Sequence, residues 1–272
     1  MSKTEGKTVE TLISQDEKSS WNIIWKWDWF SRATWKPSFR KEIENLRHVL
    51  NSLLPKLNVR NILDCSCGLG LKTIMLSEMG YEVEGSDRSP FVIEHAPQLA
   101  REEGLGIRFF LSQHKDLAKT SRHKFDCVYS DAFDWIRTRR KLKAAAKGIC
   151  SVLDNGGKFI FHGALPKWGK PDLKRLIEED FRKHKEFDIF APYEKDGTRL
   201  SEVTVCEKTS SGILEKRVYI IEEKKTLKAE VAFMLNLIKW TWQDYTKVLR
   251  EVGFREFEYI EKDGMVLNIC SK

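Results

Sequence analysis

Seven residues, Asp64-Cys65-Ser66-Cys67-Gly68-Leu69-Gly70, follow the largely apolar segment Val59 to Leu63, and Asp87 stands at the end of the next such segment, Tyr81 to Ser86. This order predicts a strand, a tight loop of small residues, a helix, and a second strand capped by a carboxylate. Small loop residues let the backbone approach a ligand closely, and an acid at the second strand end accepts hydrogen bonds from ribose hydroxyls. The pattern is that of a nucleoside-binding unit. Dinucleotide dehydrogenases use a longer three-glycine fingerprint, because their loop cradles a pyrophosphate at a helix N-terminus. Here the first strand itself ends in Asp64. A carboxylate at that point repels a pyrophosphate and suits a cationic ligand without phosphate.

The alternation continues downstream. Lys72 to Met79 reads as the helix after the loop, Pro90 to Glu103 as a second helix closed by Gly104, and Arg139 to Leu153 as an alanine-rich third. Ile107 to Leu111, Phe125 to Ser130 and Lys158 to Phe161 read as further strands. Strands alternating with helices imply right-handed crossovers and a mostly parallel sheet covered on both faces. The rhythm breaks at Pro166-Lys167-Trp168-Gly169-Lys170-Pro171. A helix from Leu173 to Lys185 follows, then residues 202–207 and 216–222 alternate like an antiparallel pair, with a further hairpin-like segment at 227–235. A helix from Trp242 to Val252 and a hairpin of Phe254 to Ile260 with Met265 to Cys270 close the chain. Upstream, residues 1–19 are polar and read as a mobile tail, and Ile43, Leu46, Leu50, Leu53 and Leu54 share one helical stripe.

With 272 residues, 41% of them apolar, the chain supports one enlarged domain with a sizeable core, and wholesale disorder is excluded. Its six cysteines sit mostly inside apolar segments without zinc-finger spacing, so they read as reduced, buried thiols. No apolar stretch approaches the length of a membrane span, no secretory signal is visible, and a cytoplasmic protein is expected. The net charge of +7 comes from 47 basic and 40 acidic residues that interleave, which describes solvated faces. The basic stretch Arg137-Thr138-Arg139-Arg140-Lys141 keeps nucleic acid as the weaker alternative partner. Four indoles between Trp21 and Trp29 cannot share one helical face, so some remain for a ligand or a lid.

In this context the chain resembles the class I S-adenosylmethionine-dependent methyltransferases. The matching residues are Asp64-x-Ser66-x-Gly68-x-Gly70, then Asp87-Arg88-Ser89 with Val92 and Ile93, then Phe125-Asp126-Cys127-Val128. Leu153-Asp154-Asn155-Gly156-Gly157 and the closing Tyr245-x-x-Val248-Leu249-x-x-x-Gly253-Phe254 complete the set, which covers about 59–165 and 240–272. Within that family it is loosely similar to the glycine and sarcosine N-methyltransferase-type small-molecule branch. That branch places an arginine just after the fifth strand, where this chain has Phe161-His162-Gly163-Ala164-Leu165. The resemblance implies an α/β fold: a Rossmann-like, doubly wound, seven-stranded, mostly parallel sheet with an antiparallel last strand, a helical N-terminal lid, and a β-rich insertion after the fifth strand. The implied boundaries are a tail at 1–19, the lid at 20–58, the cofactor-binding core at 59–165, a substrate cap at 166–238, and the rest of the core at 239–272.

The implied cofactor is S-adenosyl-L-methionine, leaving as S-adenosyl-L-homocysteine, with no metal. The resemblance puts Asp64, Cys65, Ser66, Cys67, Gly68 and Gly70 around its methionine moiety, with Asp64 near the ammonium group, and Asp87 with Arg88 at the ribose. Gln113 and His114 fall at the adenine, although a carboxylate is more usual at Gln113. Ser130 joins the cofactor set, and Arg40 is carried over as a contact to the cofactor carboxylate. Asp131, Tyr129 and His162, at strand ends, are the catalytic candidates. Asp131 would take a proton from an amine or hold an amine cation, unless it merely caps the following turn. Trp27, Trp29 and Trp35 are substrate-binding candidates, because aromatic faces attract sulfonium and methylated ammonium cations; packing of the lid is the competing account. The implied function is methyl transfer to a small-molecule acceptor, an amine nitrogen, by in-line displacement. RNA or protein methylation and a catalytically silent cofactor-binding subunit are the alternatives. No membrane partner is expected, and a homo-oligomer is left open.

Overall fold

The computed structural model describes residues 8–32, 37–183, 187–210, 212–224, 226–236 and 239–272. The chain opens with strand β1 (Thr8–Ile13), helix α1 (Glu17–Phe30) and helix α2 (Pro37–Leu53), followed by a 3-10 turn at Leu54–Leu57. An alternating stretch comes next: β2 (Asn61–Cys65), α3 (Leu71–Glu78), β3 (Glu82–Asp87), α4 (Pro90–Glu102) and β4 (Arg108–Leu111). A 3-10 turn at His114–Asp116 leads into α5 (Leu117–Thr120), β5 (Phe125–Ser130), α6 (Arg139–Val152), β6 (Leu153–His162) and α7 (Lys170–Lys183). Four long strands follow, β7 (Phe187–Lys195), β8 (Thr198–Lys208), β9 (Ile213–Glu223) and β10 (Thr226–Asn236). Helix α8 (Trp242–Arg250) and the hairpin β11 (Glu256–Lys262) and β12 (Met265–Ser271) end the chain.

Two compact units result. One comprises residues 40–173 and 238–272, and the other the N-terminal segment through residue 39 with residues 174–237. The larger unit holds a seven-stranded sheet in the order β11-β12-β6-β5-β2-β3-β4. It is parallel from β6 to β4, and β12 runs antiparallel to both its neighbours. The expected Rossmann-like architecture is therefore present. β2 and β5 are buried almost throughout, which is why Ile62, Leu63, Cys127 and Val128 read as continuous apolar runs rather than alternating ones. One layer of core gathers around Leu63, Val128, Ile149, Phe159 and Phe254, and the other around Leu50, Leu54, Ile62, Met75 and Ile160. Helix α6 lies so close to the 3-10 turn that a Cβ on Gly148 would stand 1.9 Å from the His114 carbonyl oxygen. Glycine is required there by contact with backbone.

The smaller unit is a five-stranded sheet in the order β1-β10-β9-β8-β7, with β1 parallel to β10 and the others antiparallel. Helix α1 covers one face: Ile23, Ile24 and Trp27 pack on Leu200, Tyr219, Ile221, Ala232 and Met234. Asp16 caps this helix, accepting from the Ser19 N–H at 2.7 Å in a capping box.

Three expectations about organisation need correction. Residues 8–19 are not a mobile tail, because Thr8–Ile13 adds a strand to β10 and Glu17 begins α1. The expected lid at 20–58 is divided: α1 belongs to the five-stranded unit, while Leu46, Val49, Leu50 and Leu53 of α2 are core residues of the larger one. The region 166–238, expected as a substrate cap, is divided as well: residues 174–237 group with the N-terminal segment, and their sheet shares a core with α1. Strand β7 also escaped the sequence reading, because Pro192 and a register shift between Phe190 and Tyr193 break its alternation.

The close approach at Gly148 generates a prediction. Gly148→Ala is expected to lower stability by about 2–3 kcal/mol, the usual cost of overpacking, and Gly106→Ala, with open space at its Cβ, to change it by less than about 0.5 kcal/mol. Urea denaturation of the two variants measures the contrast.

Candidate functional site

The carboxyl ends of β2, β3, β5 and β6 bring the site residues together, as an open parallel sheet requires. The loop after β2 turns through three left-handed residues, Ser66 (φ 70°), Gly68 (φ 53°) and Gly70 (φ 82°). At Gly70 a Cβ would also meet the Phe109 ring at 2.8 Å, so no side chain fits. The loop is tied to the next strand: the N–H groups of Ser66 and Cys67 both donate to the Ser86 carbonyl, at 2.7 and 3.0 Å.

Asp87 closes this cradle. Its Oδ2 accepts from the Gly68 N–H at 3.2 Å and its Oδ1 from the Ser89 N–H at 2.8 Å. Burial raises its pKa, and these two N–H bonds oppose the rise. Each carboxylate oxygen keeps a lone pair for a further donor. Beside it, the buried Ser89 hydroxyl has no hydrogen-bond partner among the described residues. An acceptor pair and an unpaired hydroxyl at the end of the second strand suit a diol such as ribose. Asp64 is buried at the end of β2 and accepts from the Thr73 hydroxyl at 2.6 Å. Burial pushes its carboxyl up to about 7, against the pull of that bond. A carboxyl desolvated to this degree gains most from a cationic ligand.

His114 sits across the cradle. Its Nε2 lies 3.1 Å from the Ser66 hydroxyl and 3.2 Å from that of Ser130, joining the β2 loop to the end of β5. Burial, with Arg88 nearby, lowers its pKa to about 4, so the imidazole is neutral at pH 7. Gln113, the residue before it, is exposed, as are Arg88 and Arg40, the last near the start of α2.

Asp131, just past β5, is the hub of a second cluster. It pairs with the Lys72 ammonium of α3, and its Oδ1 lies 3.1 Å from His162 Nε2. The Tyr129 hydroxyl stands 3.1 Å from that same nitrogen and donates to the Asp131 carboxylate. Lys72 is buried and reaches Glu42 of α2 at 2.8 Å as well. Burial alone would raise the Asp131 pKa, but Lys72, His162 and Tyr129 hold it below the usual carboxylate value. His162 is pushed down by burial, only partly offset by Asp131. Two residues on, Asn268 bonds both the N–H and the carbonyl of Ala164, at 3.1 and 3.0 Å. Three residues along the chain from Asp131, burial and the neighbouring carboxylate push Asp134 up to about 8. Its Oδ1 is buried and unpaired among the described residues. The cluster therefore holds an ionised Asp131 against the Lys72 ammonium, which Glu42 also contacts.

The structure thus unites the three expected catalytic residues, Asp131, Tyr129 and His162, and sets Asp64, Ser66, Gly68, Gly70, Asp87, His114 and Ser130 around one cradle. It corrects others. The Cys65 and Cys67 side chains face the core, not a ligand; burial raises both thiols, and only their backbone belongs to the loop. Trp27 is buried against the five-stranded sheet and donates its indole N–H to Glu230 at 2.8 Å, so its ring is a packing element. Trp29 is half-buried, with the Arg32 guanidinium 5.7 Å from its ring. Trp35 lies outside the described residues. Lys72, Glu42, Thr73 and Asp134 were missed. For Lys72 a signal existed: a lysine beside Thr73, Ile74, Met75 and Leu76 in a helix packed on a sheet must be paired. Among the described residues no cluster of His, Cys, Asp or Glu is arranged to hold a metal ion, and no helix is long and apolar enough to cross a membrane.

Comparisons with known proteins bear on the domain and its fold. Residues 62–157 match the family model of a methyltransferase domain. An uncharacterized methyltransferase of Bacillus subtilis, YodH, is 28% identical over 120 residues, covering 44% of this chain and 50% of its own. The chain thus aligns with about half the length of this curated relative. Among solved structures, the amino pentose methyltransferase CalS10 of Micromonospora echinaspora, bound to S-adenosylmethionine, superposes with a TM-score of 0.59 at 16% identity, covering 88% of this chain and 96% of that one. The sugar N-methyltransferase KedS8 of a Streptoalloteichus species gives 0.62 at 18% identity, covering 85% and 86%. At such identities these likenesses speak for the fold.

The neutral His114 has a measurable signature. An imidazole whose pKa falls from 6.5 to about 4 on folding binds its proton more readily in the unfolded chain. Its contribution is complete above pH 6.5 and is lost as pH falls toward 4, a loss of about 2 kcal/mol between pH 6.5 and 4.5. His114→Asn is expected to flatten that part of the stability profile, read as urea midpoints across the range.

Proposed function

We propose that this chain, a class I S-adenosylmethionine-dependent methyltransferase by fold and by its matched domain, methylates an amine nitrogen of a small-molecule acceptor. The observation that carries this reading is Asp131, held ionised by three donors at the end of β5, next to the Ser130 hydroxyl that bonds His114. Bound S-adenosylmethionine supplies a methyl group on a sulfonium: the acceptor's lone pair forms the new bond to carbon as the carbon–sulfur pair returns to sulfur.

The chain's own residues bind, orient and provide charge. Asp87 and the Ser89 hydroxyl suit the ribose, Asp64 the ammonium group, and the loop backbone the methionine portion. A carboxylate that already accepts from Lys72, His162 and Tyr129 is a weak base, so Asp131 acts as a fixed negative charge rather than a proton acceptor. It favours an amine approaching as a cation, and the alkylammonium that methylation produces. The proton must leave before the nitrogen attacks. Sugar N-methylation, the activity named for KedS8, falls inside this acceptor class. Within the basic stretch that keeps nucleic acid as the alternative, Arg139 pairs with Glu251.

Two variants separate the roles. Asp87→Ala is expected to weaken S-adenosylmethionine binding by more than about tenfold in calorimetry, the loss typical of hydrogen bonds to a charged acceptor. Asp131→Asn is expected to leave that affinity within about threefold while methyl transfer from labelled cofactor to an amine panel falls about a hundredfold or more. Thermal melting is followed in parallel, since Asp131→Asn leaves Lys72 with Glu42 alone. RNA labelled faster than every amine would overturn the acceptor class. Tight cofactor binding with no transfer to any acceptor would instead mark a silent subunit.

A further inference from the structure

The loop that carries the chain from β5 into α6, residues 131–138, holds two aspartates in opposite surroundings. Asp131 is saturated, since Lys72, His162 and Tyr129 all engage its carboxylate. Asp134 is open: its Oδ1 is buried and has no hydrogen-bond partner among the described residues. Buried acceptors are rarely left without a donor, and an open one at a strand-end site is a place for a donor that a ligand brings. The loop holds this carboxyl in a fixed position. The Phe133 ring is fully buried, with its centroid 4.9 Å from those of Phe159 and Phe161. The Ile136 N–H donates to the Phe133 carbonyl at 3.3 Å, and the Trp240 indole N–H to the Ile136 carbonyl at 2.6 Å. The Lys239 ammonium donates to the Arg137 carbonyl at 2.6 Å, and Thr138 caps α6.

We propose that Asp134 takes the proton from the acceptor's ammonium group, while Asp131 remains the fixed charge beside it. This rests on the amine reading given above. The N–H bond of the ammonium breaks, its proton goes to Asp134 Oδ1, and the electron pair stays on nitrogen, free to attack the methyl carbon. The methylated product leaves as an ammonium, and the proton passes from Asp134 to solvent. The neighbouring groups are unsuited to this step. Tyr129 of β5 and Tyr245 of α8 stay protonated, raised by burial and then by carboxylates that include Asp134. His162 of β6 has its Nε2 facing both Asp131 and Tyr129, and burial makes it a weaker base. The His114 imidazole, 6.5 Å from the Phe133 ring, is weakened further, to about 4. Lys72 of α3 is an ammonium shared by Asp131 and Glu42 of α2. For Asp134, burial and the Asp131 charge push the carboxyl up to about 8, with Lys72 opposing. Two adjacent carboxyls pushed in opposite directions divide the work between charge and proton transfer.

Two measurements test this. The first needs no turnover: carbon-13 NMR of the full chain, with aspartate labelled at its side-chain carboxyl, followed against pH without cofactor. The signal missing from Asp134→Asn is expected to titrate near 8. A midpoint below about 5, in the ordinary carboxylate range, would overturn the proposal. The second is kcat against pH with the best acceptor of the amine panel. A base works only when ionised, so kcat is expected to fall as pH drops. The sulfonium and the acceptor's ammonium both favour the carboxylate, which places that midpoint at or below about 8. Asp134→Asn keeps the shape and a hydrogen-bond donor but cannot accept the proton. It is expected to lose about a hundredfold or more in kcat and the acid limb of the profile, with S-adenosylmethionine affinity nearly unchanged. An Asp134→Asn protein that methylates the amine at the wild-type rate, or with the same acid limb, would overturn the role of Asp134 and leave the amine reading standing. Transfer to RNA alone by the wild type would overturn both.

Discussion

A lysine buried in the first turn of α3 constrains everything around it. The Lys72 ammonium cannot remain desolvated without partners, and it finds two, Asp131 at the end of β5 and Glu42 on α2. Removing either carboxylate leaves the ammonium with a single, partly exposed partner. The pair therefore fixes α2 and α3 against the central strands, and it fixes Asp131 as an anion. His162 and Tyr129 then take their places as donors to that anion. The site's chemistry follows from a structural necessity, namely that a charge in a covered sheet must be answered.

The cradle next to it works by a different economy of groups. Its backbone donors are already engaged, on the Ser86 carbonyl and on Asp87. What it offers a ligand is acceptors and shape: two carboxylates raised by burial, a neutral imidazole, and a loop whose glycines leave room. Such a surface gains little from phosphates and much from a positively charged, hydroxyl-bearing molecule. His114 links the two clusters, since Ser130, its partner at the end of β5, immediately precedes Asp131.

The smaller unit shows how aromatic residues can mislead a reading by composition. The indoles between Trp21 and Trp29 suggested a cation-binding surface. Trp21 and Trp25 instead stack on each other, 5.0 Å apart, and Trp27 is held by Glu230 within the sheet's own core. Glu230 is itself paired with Lys26, so the buried carboxylate is neutralised by the helix it anchors. An indole supplies large apolar area with a single donor, and a buried acceptor on a strand satisfies both requirements.

The local features of the larger unit were legible because each is set by a few adjacent residues. Glycines at positive φ make the loop, Asp87 ends its strand, and doubly buried strands carry unbroken apolar runs. From these the sequence alone determined the nucleoside-binding architecture and the set of strand ends where chemistry gathers, and the family resemblance they carry implied the cofactor. Tertiary structure decided what depends on partners distant in the chain. Thr8–Ile13 becomes a strand only because β10 lies beside it, and α1 and α2 part company because their apolar faces match different sheets. Whether Asp131 serves as a base or as a fixed anion is set by Lys72, Tyr129 and His162, which periodicity cannot bring together. Periodicity records which face of an element is apolar, and only packing in three dimensions determines what meets that face.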